Sequence, residues 1–106
     1  MSYSVHGDNN LISERLREEM HLLERHVRML KIIRDDGPVG IIKLAEKTGF
    51  PQHKVRYSLR ILEETGLIRP SPRGAVVTDK ADEFVLDFKD LLQELESKID
   101  GLKHML

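Results

Sequence analysis

The chain has 106 residues, of which 40% are hydrophobic and 33% charged, with a net charge of -1, so it suits one small folded domain rather than a disordered segment. It contains no cysteine, which excludes disulfides and thiolate metal sites and fits a reducing compartment. No apolar run approaches the roughly 20 residues of a membrane span, and residues 1–10 do not resemble a signal peptide, so we expect a cytoplasmic protein without a membrane partner.

A flexible N-terminus and one long helix are predicted at the start of the chain. Residues 1–10 are polar and contain one glycine and two asparagines. Residues 11–34 have the apolar spacing of a helix that ends before Gly37 and Pro38. A heptad seam with spacings of four and three is formed by Leu16, Met20, Leu23, Val27 and Leu30. The second half of this helix is expected to pack in the domain, whereas the first half carries an apolar stripe that a small domain cannot cover.

Two shorter helical patterns follow, separated by a turn at residues 49–51. Gly49 suits the left-handed residue that ends a helix, and Pro51 suits the start of the next helix. The first pattern has apolar residues at i, i+3 and i+4, which are Ile41, Leu44 and Ala45. The second covers about residues 52–65 and has inward positions at i, i+4 and i+7, which are Val55, Leu59 and Leu62. Ser58 is interpreted as a structural residue at the margin of this second helix.

A β-hairpin is predicted at about residues 67–78, where two short strands flank the sequence SPRG. Residues 51–74 hold five basic and two acidic residues, whereas residues 79–106 hold four basic and eight acidic ones. Positive charge is therefore concentrated on the second short helix and the hairpin, as on a protein surface that faces DNA. The alternative is a solvated face that is basic by chance.

Residues 79–106 are predicted to form a C-terminal helix, capped by Thr78 or Asp79. Most of its heptad lattice is apolar, with Phe84, Phe88, Leu91, Leu95, Leu102 and Met105, and Ile99 lies in a second row. Because the domain is too small to bury two long amphipathic helices, we expect them to pack with those of a second chain. The residues assigned to this dimer interface are Leu16, Met20, Leu23, Phe84, Phe88, Leu91, Leu95, Ile99 and Leu102. The alternative is a hairpin of the two helices within one chain.

Two short helices joined by a tight turn make a helix-turn-helix. The strand, turn and strand directly after it resemble the wing of winged helix-turn-helix transcription regulators. The run of residues 55–68 reads VRYSLRILEETGLI and is similar to the recognition-helix signature of that superfamily. The resemblance covers roughly residues 25–85. With helices on both sides of the winged domain, the arrangement is similar to the MarR, ArsR and PadR groups and does not select one of them.

This resemblance implies a mainly α fold with a small β-hairpin wing and long terminal helices that form a dimerisation bundle. Residues 1–10 would be the flexible N-terminus and residues 11–34 the first dimerisation helix, which is also the first helix of the winged domain. Residues 35–78 would carry the helix-turn-helix and the wing, and residues 79–106 the second dimerisation helix.

The implied function is regulation of transcription by a homodimer that binds double-stranded DNA. The helix at about 52–65 would enter the major groove, and the wing at about 67–78 would contact the flanking backbone or the minor groove. The candidate DNA-binding residues are Gln52, His53, Lys54, Arg56, Tyr57, Arg60 and Arg73. Gln52 can pair with adenine and Arg56 with guanine, whereas Lys54 and Arg60 suit phosphates. The alternative is a winged helix that contacts protein as a subunit of a larger assembly, without direct DNA binding.

Other chemistry has little support in the sequence. The five histidines include no pair at i, i+4, and His21 and His26 are interpreted as surface or interface residues of the long helix. There is no glycine-rich phosphate loop and no serine nucleophile signature, so we expect no enzyme activity, no metal and no cofactor. A small-molecule effector between the winged domain and the helical bundle is left open.

Overall fold

The computed structural model describes residues 6–106, with side chains from residue 11 onward. The described chain consists of four helices and one β-hairpin. In chain order these elements are α1 (His6–Asp36), α2 (Ile41–Thr48), α3 (Gln52–Glu64), β1 (Ile68–Ser71), β2 (Gly74–Val77) and α4 (Lys80–Met105). The expected mainly α architecture with a small antiparallel hairpin is therefore confirmed.

The long N-terminal helix extends beyond its predicted bounds of 11–34 at both ends. Residues 6–10, which were expected to be part of a flexible N-terminus, are helical, and residues 1–5 of that segment lie outside the described residues. At the other end the helix continues through both aspartates. It ends just before Gly37, whose N–H donates to the Ile33 carbonyl at 3.0 Å.

The core lies where the last third of α1 meets α2, α3 and the hairpin. Its fully buried side chains on α1 include Met29 and Ile33, which are four residues apart and so share one face. Met29 was not part of the predicted seam, which reaches the core only through Leu30. The remaining core residues are Val39, Leu44, Val55, Leu62, Leu67, Ile68 and Ala75. Of the inward-facing row predicted for the second short helix, Val55 and Leu62 are buried and Leu59 is half-buried.

The turn between α2 and α3 is built by local hydrogen bonds. Gly49 has a positive φ of 78°, and its N–H donates to the Ala45 carbonyl at 2.8 Å. The Thr48 hydroxyl donates to the Leu44 carbonyl at 2.6 Å and accepts from the Phe50 N–H at 3.2 Å. Pro51 then precedes the first residue of α3 with an extended backbone. These bonds set the direction in which α3 leaves the turn.

The hairpin is bonded at its open end to the segment that follows α3, and at Ala75 to the segment that precedes α2. Strands β1 and β2 pair antiparallel, with Ile68 opposite Val77 at the open end. There the Thr78 N–H donates to the Leu67 carbonyl at 2.9 Å, and its hydroxyl donates to the Gly66 carbonyl at 2.6 Å. Val39 forms an isolated antiparallel bridge with Ala75 on the second strand. The hairpin therefore has a fixed position beside α3.

The last helix packs on the domain only at its start. The Lys80 N–H donates to the Thr78 hydroxyl at 3.3 Å, so Thr78 provides the capping bond, whereas Asp79 makes no side-chain cap. Ala81 is buried and Phe84 is half-buried against the core. All residues from 91 to 106 are exposed, as are residues 11–21 of α1.

In the described part of the chain, no helix combines the length and the apolar character that crossing a membrane requires.

Candidate nucleic-acid interface

Helix α3 has one buried side and one polar, solvent-facing side. Val55, Ser58 and Leu62 face the core. All six residues that the sequence predicts to contact DNA from this helix are exposed, and they are Gln52, His53, Lys54, Arg56, Tyr57 and Arg60. Their spacing of three and four residues places most of them along one face of the helix. We call the exposed side of α3 that carries these six side chains the α3 face, with Lys54 at its edge.

The seventh candidate, Arg73, is exposed at the tip of the hairpin. The turn that carries it is closed by Ser71, whose hydroxyl donates to the Gly74 carbonyl at 2.6 Å and accepts from the Arg73 N–H at 3.3 Å. Arg69 is also exposed, on β1 opposite Val76. The backbone of the tip is therefore ordered by its own hydrogen bonds, while the arginine side chain extends into solvent.

The basic side chains of this surface are not neutralised by ion pairs within the described chain. The salt bridges among residues 11–106 that involve lysine or arginine are Arg28–Glu24, Lys31–Asp35, Arg34–Asp82 and Lys47–Asp36. None of them includes a basic residue of the α3 face or of the hairpin. Their positive charge is consequently available to an anionic partner.

Tyr57 connects the α3 face to α1. Its ring stacks on the His26 imidazole, with centroids 6.3 Å apart and planes inclined by 28°. The Arg60 guanidinium carbon lies 5.3 Å from the centroid of the same tyrosine ring, which is the geometry of a cation–π contact. The tyrosine therefore contacts Arg60 on one helix and His26 on the other.

Ser58 is the site residue whose role the sequence analysis did not identify. It is fully buried, not marginal, and is the buried polar residue of the described core. The Arg25 Nε donates to its hydroxyl oxygen at 2.8 Å, and the His26 Nδ1 lies 2.9 Å from the same oxygen. A serine three residues after Val55 and four before Leu62 lies on the inward row, and this spacing was the available signal. Its partners, 32 and 33 residues earlier, leave no local pattern.

His26 is half-buried between the two helices. Burial of the ring, and then the positive charge of Arg25, lower the pKa of His26 below its ordinary value of 6.5. The imidazole is therefore neutral at neutral pH. Of the two histidines interpreted as surface or interface residues of the long helix, His26 is thus half-buried against α3, whereas His21 is exposed.

The residues assigned to the dimer interface fall into two groups in the single chain. Leu23, Phe84 and Phe88 are half-buried and border an apolar cavity of about 180 Å³ between α1, α3 and α4. The two phenylalanine rings stack with centroids 5.1 Å apart. This cavity is smaller than the roughly 300–1,000 Å³ of sites for drug-sized ligands. The remaining six are exposed, and they are Leu16, Met20, Leu91, Leu95, Ile99 and Leu102.

The exposed apolar stripes of α1 and α4 do not cover each other within the described chain. Leu16 is 65% exposed and Ile99 is 56% exposed, so neither stripe packs against another element of the described chain. The alternative in which the two terminal helices form a closed intramolecular hairpin is not what the structure contains.

Among the residues that the structure describes, no three histidine, aspartate or glutamate side chains gather as metal ligands would. No protein-family model matches the sequence, and no curated protein is significantly similar to it.

Proposed function

We propose that the chain is a winged helix-turn-helix regulator of transcription that binds double-stranded DNA as a homodimer. The element order from α1 to α4 supports this, because a helix pair with a tight turn is followed directly by a hairpin. The single observation that carries the proposal is the α3 face. It presents six polar or basic side chains to solvent, and its cations lack acidic partners within the described chain.

In this proposal α3 lies in the major groove, which has the width of an α-helix. Gln52 and Arg56 lie one turn apart near the start of the helix and read base edges, adenine for the amide and guanine for the guanidinium. Lys54 and Arg60 contact phosphates, which position the helix without reading sequence. Arg73 at the hairpin tip contacts the flanking backbone or the minor groove.

The homodimer is supported by the uncovered apolar stripes of the two terminal helices. Contiguous apolar surface of this kind marks an interaction site in soluble proteins. In our proposal the first half of α1 and the second half of α4 pack with the same helices of a second copy. A two-fold dimer presents two copies of α3, so a pseudo-palindromic DNA site with half-sites about one helical turn or a multiple apart is expected.

The test is a fluorescence-anisotropy titration of a labelled mixed-sequence duplex at low and moderate salt. We expect binding in the micromolar range that weakens as salt rises, because phosphate contacts release counterions. The double variant Arg56→Ala/Arg60→Ala should lose most of this affinity. The matched control is Lys89→Ala/Lys103→Ala, which removes two exposed basic residues from α4 and should leave binding unchanged.

The competing function is protein contact by the same surface. Absence of salt-sensitive DNA binding at about tens of micromolar protein would contradict our proposal and favour that alternative. Equal binding by the wild type and the arginine double variant would instead show that DNA binds elsewhere on the protein.

A further inference from the structure

The buried hydroxyl of Ser58 links α3 to two consecutive residues of α1, Arg25 and His26. The donors and acceptors that these three side chains offer indicate where each hydrogen lies. The Arg25 Nε–H donates to the serine oxygen at 2.8 Å, and a guanidinium has no acceptor. The hydroxyl hydrogen of Ser58 is therefore directed to the His26 Nδ1 at 2.9 Å. For Nδ1 to accept, the imidazole must be neutral and carry its proton on Nε2.

Protonation of His26 removes this bond. Nδ1 would then carry a hydrogen and become a second donor toward the serine oxygen, so the buried hydroxyl would lose its acceptor. The new imidazolium would also lie beside the positive charge of Arg25. Among the described side chains, no carboxylate lies within salt-bridge distance of His26 to compensate.

The groups facing His26 from the other elements determine what moves. From α3 these are the Ser58 hydroxyl and the Tyr57 ring, which stacks on the imidazole. The same tyrosine ring makes the cation–π contact with Arg60. From α4 they are the rings of Phe84 and Phe88, which border the same cavity and do not titrate. The link from α1 therefore leads to the α3 face and to one of its arginines.

We propose that His26 is a positioning residue for DNA binding, whose neutral imidazole fixes the α3 face through Ser58 and Tyr57, so that acidification weakens DNA binding. This proposal rests on the proposed function. His26 does not need to touch DNA, because it acts by holding Tyr57 and Arg60 in a defined position.

A second histidine must be removed from the measurement first. His53 is exposed on the α3 face, where an ionisable side chain would face the DNA directly. The reference protein for the test is therefore the His53→Gln variant, because the glutamine side chain at position 53 carries no charge at either pH.

The experiment compares His53→Gln with His26→Asn/His53→Gln by anisotropy titration of a mixed-sequence duplex at about pH 7.5 and about pH 5.5. Asparagine offers Oδ1 as a neutral acceptor in the place of Nδ1. At the higher pH the asparagine variant should bind more weakly than the reference, because it lacks the ring that stacks on Tyr57, so the test compares each protein with itself at the two pH values. On acidification the reference should lose roughly threefold to tenfold in affinity, which is what the loss of one hydrogen bond produces. The asparagine variant should lose none.

The outcomes separate the two proposals. Absence of binding by the wild type at about pH 7.5 overturns DNA binding and, with it, this role of His26. Binding with the same acid loss in both proteins leaves DNA binding intact and overturns only the role of His26.

A second measurement needs neither DNA nor the asparagine variant, so it remains valid if that variant misfolds. It uses the reference protein, which keeps His26. In ¹H–¹⁵N spectra the amide signals of Tyr57 and Ser58 should move with the titration of the His26 ring. Static signals across that titration would also overturn the proposal.

Discussion

Gly74 lies so close to Val39 that a Cβ on the glycine would be 2.5 Å from the carbonyl carbon of the valine. The two neighbouring segments approach backbone to backbone, with the Ala75 N–H donating to the Val39 carbonyl at 2.8 Å and the Val39 N–H returning a bond at 3.1 Å. The glycine also has a positive φ of 128°. Both features require the absence of a side chain.

Gly74→Ala should therefore lower the free energy of unfolding by about 2–4 kcal/mol, since it combines backbone strain with a clash against main-chain atoms. Urea unfolding followed by circular dichroism measures this change. A loss of less than about 0.5 kcal/mol would show that the hairpin can move away from Val39 at little cost.

Gly101→Ala is the opposite case. This glycine is inside α4, and a Cβ there has no atom within 4 Å. Alanine should stabilise the end of the helix by up to about 1 kcal/mol, because glycine has the lower helix propensity. Thermal unfolding and helix content by circular dichroism test this. Destabilisation would mean that a second chain packs closely against Gly101.

Leu95→Glu should convert the proposed dimer to a monomer that keeps its fold. Leu95 is exposed in the single chain and lies on the apolar lattice of α4, which forms the proposed dimer interface. A carboxylate at this position would therefore be buried without a partner in the dimer. Sedimentation equilibrium at micromolar protein gives the mass. Leu86→Glu is the matched control, because Leu86 is exposed and off the lattice. Equal masses for both variants would contradict the assigned interface.

Arg73→Ala should reduce the salt dependence of DNA binding. If the hairpin tip contacts one phosphate, the slope of log affinity against log salt becomes smaller by about 0.9. Anisotropy titrations at several salt concentrations give this slope. Lys103→Ala removes an exposed cation of α4 and should leave it unchanged. An unaltered slope in the Arg73 variant would place the hairpin tip away from the DNA.

The stability of the protein should fall in acid partly because of His26. Its pKa is lowered in the folded state from 6.5, so between the two values the unfolded chain binds the proton more readily. This contribution is complete above pH 6.5 and is lost as the pH falls toward the folded pKa. Urea unfolding of the wild type and His26→Asn over that range isolates it, because other titrating groups cancel in the difference. Parallel curves for the two proteins would contradict the shift.

The order of elements was predictable from local signals in the sequence. Gly49 with Pro51 separates α2 from α3, and the turn before Gly74 separates the two strands, because these residues have restricted or unusual backbone preferences. The polar side of α3 followed from the spacing of Val55 and Leu62. These features depend on residues within one or two turns of each other.

The links between distant elements could not be predicted in the same way. The pairing of Ser58 with Arg25 and His26 depends on how α1 crosses α3, which local periodicity does not specify. The burial of Met29 likewise depends on which row of α1 faces the core, and the heptad seam indicated the neighbouring row. Both were decided by tertiary packing.

The uninterrupted course of α1 has a mechanical consequence. Its 31 residues span roughly 46 Å, so the outer end and the part that holds Ser58 belong to one stiff rod. A twist applied to the outer end reaches Arg25 and His26 without a hinge to absorb it. Deleting one residue between Met20 and Arg25 would rotate the two ends against each other by about 100°. Each half would keep its helical structure, but the apolar stripe of the outer half would face a different direction relative to the domain.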